Sequence, residues 1–93
     1  MIRKVVITKA AVSDLRRLPQ HIQDKLFYWV GLVEQDGLEA VRLIKGFHDE
    51  PLKGDRKGQR SIRLNRSYRA IYVLLSDASV RFVCIEEVTK HEY

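Results

Sequence analysis

Hydrophobic residues alternate between strand-like and helical spacing at the start of the chain. The β-branched run from Val5 to Ile7 predicts a first strand over residues 2–7. Thr8 then predicts the N-cap of a helix, because its hydroxyl can accept a backbone N–H of the first turn. Apolar residues follow at helical spacing, and they are Ala11, Val12, Leu15 and Leu18. We expect this helix to end near Pro19, which either terminates it or opens the next one.

A second, longer helical stripe follows directly. Between Gln20 and Asp36 the apolar residues again recur at helical spacing, and they are Ile22, Leu26, Phe27, Trp29, Val30 and Val33. Gly37 fits the C-terminal cap, because glycine adopts the backbone conformation in which helices often end. Two helices joined by so few residues predict an antiparallel helical hairpin. Residues 38–44 predict one further short helical turn, closed by Gly46.

The hydrophobic period changes to two in the second half of the chain. Residues 46–59 hold three Gly, one Pro and six charged residues, which predicts a long loop. Three strands are then predicted, over Ser61–Leu64, Tyr68–Leu75 and Val80–Glu87, with turns at 65–67 and 76–79. The order is β-α-α, a short further helical turn, and β-β-β. It predicts one α+β domain over residues 1–93, in which an antiparallel sheet packs against the N-terminal helical hairpin.

Composition narrows the class of protein. An apolar fraction of 45% over 93 residues is typical of one small globular domain. The single cysteine, Cys84, excludes an internal disulfide, and its place in an apolar run predicts a buried structural thiol. No apolar run is long enough for a membrane span or a signal peptide, so we expect a cytoplasmic protein. Three scattered histidines and the lack of a phosphate-binding glycine motif predict neither a metal site nor a cofactor.

The positive charge is concentrated in one segment. From Lys45 to Arg69 there are eight Lys/Arg and three Asp/Glu, whereas the rest of the chain has nine of each. The whole formal charge of +5 therefore comes from this segment. Such a local excess predicts a surface that binds a polyanion through salt-sensitive contacts.

Two arginines of this segment are candidates for binding phosphate. Strand alternation places Ser61 and Arg63 on one face and Ile62 on the other. If the apolar face packs on the helices, Arg63 points to the open face of the sheet. Arg69 begins the next strand, so both guanidiniums can lie near one rim, where their planar donors suit a phosphate. The alternative is that these are solvated charges on a sheet face.

The last four residues, Lys90 to Tyr93, add groups that can transfer protons. His91, Glu92 and the Tyr93 phenol offer general acids and bases, and Lys90 can stabilise negative charge. His48, in the long loop, is a second candidate. Because chain ends are usually frayed, the alternative is a tail without a chemical role.

Four segments together resemble the RelE/ParE superfamily of bacterial toxins, and more closely its RelE- and HigB-like ribonucleases. The segments are Gly46 to Gly54, Gln59 to Leu64, Ser67 to Tyr72 and Glu87 to Tyr93. The resemblance implies the toxin of a type II toxin–antitoxin system. Such a toxin is an endoribonuclease that cleaves mRNA in the ribosomal decoding site without a metal ion. It also implies a cognate antitoxin that covers the basic groove.

The resemblance also implies roles for individual residues. Arg69 would hold the scissile phosphate, and Arg63 would assist it from the preceding strand. His91 and Tyr93 match the C-terminal acid–base and base-stacking positions. The remaining basic candidates would contact ribosomal RNA or mRNA, and they are Lys53, Lys57, Arg60, Arg66 and Lys90.

Several alternatives stay open at this level. His91 stands where other relatives carry arginine, so the sequence does not decide which of His91, Glu92 and Tyr93 is the acid and which the base. A ParE-like protein would inhibit DNA gyrase by binding alone, and a module without catalysis would only bind nucleic acid. The terminal His-Glu-Tyr favours the ribonuclease, because a gyrase inhibitor has no evident use for an acid–base group there.

Overall fold

A five-stranded sheet organises the chain in the computed structural model, which describes residues 1–90. The helices are α1 (Lys9–Arg16), α2 (Gln20–Asp36) and α3 (Leu38–Val41). The strands are β1 (Lys4–Ile7), β2 (Glu50–Pro51), β3 (Arg60–Arg63), β4 (Tyr68–Asp77) and β5 (Val80–Lys90). Their order across the sheet is β1-β5-β4-β3-β2, so β1 and β2 are the two edges. The predicted α+β class is thereby confirmed, with the short helix α3 where a further helical turn was expected.

The sheet differs from the prediction in two places. β1 runs parallel to β5, whereas the other three strand pairs are antiparallel, so the sheet is mixed. β1 and β5 are the first and last strands in the sequence, and the helices and the other strands lie between them. No hairpin turn joins β1 to β5, so the local sequence does not predict that they run parallel. β2 lies inside the segment predicted as a loop, and two residues are too few to show a period.

The hydrophobic core lies between the helices and one face of the sheet. Both rings of the central pair, Trp29 of α2 and Tyr72 of β4, are fully buried, with their centroids 5.4 Å apart. The apolar positions predicted for the two long helices supply much of this core, including Ala11, Leu15, Ile22, Leu26 and Val33. We call the opposite face of the sheet the open face.

Both predicted helix caps are present. Thr8 accepts the Ala11 N–H at 3.1 Å and so caps α1. Gly37 ends α2 with a φ of +87°, and its N–H donates to the Val33 carbonyl. A Cβ at Gly37 would also lie 2.8 Å from the Met1 side chain, but that side chain is exposed and can move, so it is the backbone conformation that requires glycine.

A β-bulge interrupts the pairing of β4 with β5. Ile71 pairs with Glu87 while Tyr72 pairs with Ile85, so Glu86 is an extra residue on β5. Helix α1 contacts the backbone on both sides of this bulge. The Thr8 hydroxyl donates to the Glu86 carbonyl at 3.1 Å, and the Val88 N–H donates to the Asp14 carboxylate at 3.0 Å. The end of β5 is therefore held against α1.

None of the helices within residues 1–90 has both the length and the hydrophobicity that crossing a membrane requires.

Replacing Thr8 by valine should lower the free energy of unfolding by about 1–2 kcal/mol. Valine keeps the shape of the side chain but loses both the cap and the hydrogen bond to the Glu86 carbonyl. Urea unfolding followed by circular dichroism measures the change. Thr8→Ser, which keeps the hydroxyl, is the matched control, and equal stability of the valine and serine variants would contradict the assignment.

Candidate active site

The two predicted phosphate-binding arginines are neighbours on the open face. The register of β3 and β4 pairs Arg63 directly with Arg69, and β5 places Thr89 opposite Arg69 on the other side. Residues paired across two strands share a face of the sheet, and the intervening Ile62 and Ala70 are buried in the core. The expected convergence of the two arginines at one rim is therefore what the sheet shows.

The guanidinium of Arg69 is fixed by acceptors from three segments. Its Nε donates to Ser61 Oγ at 3.0 Å, and its Nη2 donates to the His48 carbonyl at 3.1 Å. The same Nη2 lies 3.2 Å from Glu50 Oε1. The Arg69 side chain is 11% exposed, whereas that of Glu50 is 61% exposed. A positive charge is thus held in one place with a carboxylate beside it at the solvent surface.

The backbone conformation at His48 brings Glu50 to this position. A 3-10 turn over Lys45–Phe47 ends at His48, which has a left-handed φ of +46° and turns the chain into β2. Glu50 then pairs with Ser61, so its side chain shares the face of Arg69. Its neighbour Asp49 lies on the other side of the chain, where it is 1% exposed.

The buried Asp49 carboxylate binds two donors. Its Oδ1 accepts from Arg60 Nε at 2.7 Å, and its Oδ2 accepts from the Tyr72 hydroxyl at 2.6 Å. Burial, with the Asp49 carboxylate as a further cause, raises the pKa of Tyr72 to about 12. Arg60 thus holds the loop in place, and its expected contact with ribosomal RNA stays a prediction.

A cavity of about 180 Å³ opens beside Arg69. Its walls come from β2, β3, β4, the end of β5 and the loop before β3, and they include Glu50, Leu52, Arg56, Ser61, Ile71, Thr89 and Lys90. The cavity thus combines two arginines, a lysine and a carboxylate with apolar surface. Such a combination suits a phosphate joined to a ribose or a base.

The loop that carries Arg56 is tied to the bulge of β5. Arg56 Nη1 lies 2.9 Å from Glu87 Oε1, and Gln59 Nε2 donates to Glu86 Oε1 at 3.1 Å. Because the bulge adds a residue, two successive glutamates both reach this loop. One wall of the cavity is therefore held in place by the irregularity of the strand.

The other predicted residues are distributed around this centre. Arg63 is partly exposed, and its Nε donates to the Asn65 carbonyl at 3.3 Å. Four further cations are exposed, and they are Lys53, Lys57, Arg66 and Lys90. His91 and Tyr93 lie outside the described residues, as does Glu92. Within residues 1–90, no cluster of His, Cys, Asp or Glu could hold a metal ion.

Sequence reasoning missed Glu50, Asp49 and Arg56. Glu50 and Asp49 lie in or beside the two-residue strand within the predicted loop, where no period is visible. The one signal in the sequence was the acidic pair Asp49 and Glu50 within the basic segment. In a strand, adjacent side chains point to opposite sides, so one of the two could have been expected on each face.

Several solved toxin structures share this fold. YafQ from E. coli strain BL21(DE3) superposes with a TM-score of 0.73 at 20% identity, covering 96% of this chain and 93% of that one. A YoeB/ParE toxin from Agrobacterium tumefaciens gives 0.71 at 21% identity, with coverages of 96% and 99%. A chain of the toxin–antitoxin complex RelBE2 from Mycobacterium tuberculosis gives 0.68 at 24% identity, with coverages of 98% and 100%.

Sequence comparison adds no relative, because no family model and no curated protein matches the chain. The structural similarity confirms the expected RelE-like fold, and at these identities it shows the fold alone.

The Tyr72 phenol should make stability fall between pH 10 and pH 12. An unfolded tyrosine ionises near pH 10, whereas burial beside Asp49 keeps Tyr72 protonated up to about pH 12. The folded state therefore binds the phenolic proton more tightly than the unfolded state does. The resulting contribution of Tyr72 to the free energy of unfolding is complete below pH 10 and is lost as the pH rises to 12. Wild type should lose about 2–3 kcal/mol more than Tyr72→Phe over this interval, measured by urea unfolding. Parallel losses in the two proteins would contradict the assignment.

Proposed function

We propose that this chain is the toxin of a type II toxin–antitoxin system and cleaves mRNA on the ribosome. The carrying observation is the Arg69 guanidinium, held beside Glu50 in the wall of a cavity on the open face, with Arg63 as its cross-strand neighbour. The fold shared with the YoeB/ParE, YafQ and RelBE2 toxins supports the proposal.

The reaction would be an internal transfer at a phosphodiester. The ribose 2′-oxygen attacks the adjacent phosphorus, and the bond from phosphorus to the 5′-oxygen breaks. A base takes the proton of the 2′-hydroxyl, an acid gives a proton to the departing 5′-oxygen, and the product ends in a 2′,3′-cyclic phosphate. In the transition state of this transfer, negative charge develops on the other phosphate oxygens. Fixed cations beside them therefore lower the activation free energy.

Arg69 and Arg63 would supply the fixed cations. The contacts of Arg69 described above use Nε and Nη2, so Nη1 would be the group that binds a phosphate oxygen. Because the guanidinium is already held, little reorganisation is needed as charge develops. Arg63, its cross-strand neighbour, would contact a second oxygen of the same group or of the next phosphate.

Glu50 is the base that the described residues offer. Its carboxylate is largely exposed and lies 3.2 Å from the guanidinium that would hold the phosphate. The acid would come from the tail, where the resemblance assigns His91 and Tyr93. The tail follows β5 in the sequence, and Thr89 of β5 lies opposite Arg69.

Protein and RNA partners would use the exposed basic surface. Lys53, Lys57 and Arg66 lie in the loop and turn that flank β3, where they can contact phosphates of ribosomal RNA or mRNA. The similar structures include the toxin–antitoxin complexes RelBE2 and DinJ–YafQ. A cognate antitoxin that neutralises this surface is the corresponding partner here.

Arg69→Gln should reduce mRNA cleavage by about 10²–10³-fold and abolish growth inhibition, because it removes the charge that stabilises the transition state. His91→Ala should have a similar effect if the tail supplies the acid. Primer extension on mRNA after induction measures cleavage, and circular dichroism confirms folding. Arg3→Gln, beside β1 at the far edge of the sheet, is the charge-matched control. A fully toxic double variant would overturn the site, and DNA damage with intact mRNA would favour gyrase inhibition.

Glu50→Gln should lower the cleavage rate at saturating substrate by about 10²-fold, because the amide cannot accept the proton of the 2′-hydroxyl. Binding should not weaken, since the neutral side chain repels phosphate less than glutamate does. Single-turnover cleavage on programmed ribosomes separates the two effects. Asp55→Asn, an exposed acid in the same loop, should behave as wild type. An unchanged rate for Glu50→Gln across the pH range would exclude Glu50 as the base.

A further inference from the structure

A second basic cavity lies behind the edge strand β2. It has a volume of about 220 Å³ and is lined by Arg42, Pro51, Gly58, Gln59, Arg60 and Leu74. Pro51 pairs with Arg60, whereas the adjacent pair, Glu50 with Ser61, lines the candidate active site. Because successive strand residues point to opposite faces, the two cavities lie on opposite sides of the same two-stranded edge.

The charges at this second cavity are not balanced. Arg42 and Arg60 contribute two guanidiniums, and Asp49 is the carboxylate bound there. Both Asp49 oxygens are already occupied, one by Arg60 and one by Tyr72, and the side chain is 1% exposed. Arg42 forms no ion pair with any residue from 1 to 90, and its guanidinium interacts instead with the neutral Tyr72 phenol. The cluster thus keeps one uncompensated positive charge.

Arg42 also presents a buried donor without an acceptor. Its Nε is buried and has no hydrogen-bond partner within the described part of the chain. The backbone at Arg42 is fixed, because its N–H donates to the Leu38 carbonyl at 2.9 Å at the end of α3. A guanidinium in this position has lost part of its solvation without gaining a counter-ion, which is unfavourable for a charged group. An anionic oxygen in the cavity that Arg42 lines would compensate the unbalanced charge.

We propose that this cavity binds a second backbone phosphate of the RNA strand whose scissile phosphate lies at Arg69. The choice of RNA as ligand rests on the function proposed above. A planar guanidinium matches a phosphate, and the cavity continues into the basic loop through Gly58 and its neighbour Lys57. Gly58 lines the cavity, and no heavy atom lies within 4 Å of where its Cβ would be, so the surface there is not crowded. A strand that passes over the β2 edge would reach both cavities.

Binding of an uncleavable RNA tests the site directly. A fluorescent decaribonucleotide with 2′-O-methyl groups cannot react, because its attacking hydroxyl is blocked. Its affinity for Arg42→Gln should fall about tenfold at 0.1 M KCl, the size expected for one charged hydrogen bond. The slope of log affinity against log salt should become shallower by about 0.7, which corresponds to one phosphate contact on a single strand. Arg3→Gln should change the affinity less than twofold, and equal effects of the two variants would overturn the site.

The wild-type protein gives a second readout that does not depend on the folding of a variant. In an arginine-labelled sample, the Arg42 Nε–H resonance should shift on addition of the same oligonucleotide. An unshifted Arg42 resonance while the oligonucleotide is bound would overturn the proposal.

Failure of this site is distinguishable from failure of the proposed function. Loss of affinity in Arg42→Gln without any mRNA cleavage by wild type would support the phosphate site and refute the ribonuclease. Cleavage by wild type with unchanged affinity in Arg42→Gln would refute the site alone.

Discussion

The geometry of the open face depends on a single buried carboxylate, that of Asp49. This carboxylate lies directly before β2 and accepts hydrogen bonds from Arg60 on β3 and from Tyr72 on β4. Tyr72 in turn packs against Trp29 in the core. A buried charge is tolerated only when it is paired and hydrogen-bonded, and both oxygens of this carboxylate have donors. The two-residue strand β2 has few backbone contacts of its own, and the Asp49 hydrogen bonds tie it to the rest of the sheet. Its position, and with it that of Glu50, therefore derives from the core.

The two arginines that face the solvent differ in how firmly they are held. Arg69 has acceptors from β3, from β2 and from the turn before β2, whereas the Nε of Arg63 contacts one carbonyl within its own turn. A cation that is already oriented interacts with a developing charge without first moving or losing solvent. On the proposed function, Arg63 would be the arginine that adapts to the RNA. A fixed cation beside an adaptable one would suit a polymer backbone that is placed accurately at one phosphate and loosely at the next.

Local patterns in the sequence predicted the local features of the fold. The Thr8 cap, the Gly37 terminus and the alternation of β3 and β4 each depend on a few consecutive residues, and all are present. Other features depend on contacts between distant segments, so no local period in the sequence predicts them. They are the parallel pairing of β1, the strand β2 and the bulge at Glu86. The adjacency of Arg63 and Arg69 was predictable because a short turn fixes the register between their strands. The contact of Glu50 with Arg69 was not predictable, because it depends on the left-handed backbone at His48 and on the buried ion pair of Asp49 with Arg60.

The extra residue in β5 also sets the parity of everything that follows it in the strand. Were Glu86 paired with Ile71 in a regular ladder instead of bulged, Val88 would lie opposite Arg69 and leave the core, and Thr89 and Lys90 would exchange faces. Deletion of Glu86, by contrast, would remove the bulge and leave Val88, Thr89 and Lys90 on their present faces. The bulge therefore lets the strand hold one more residue without changing which side chain of β5 lies beside Arg69.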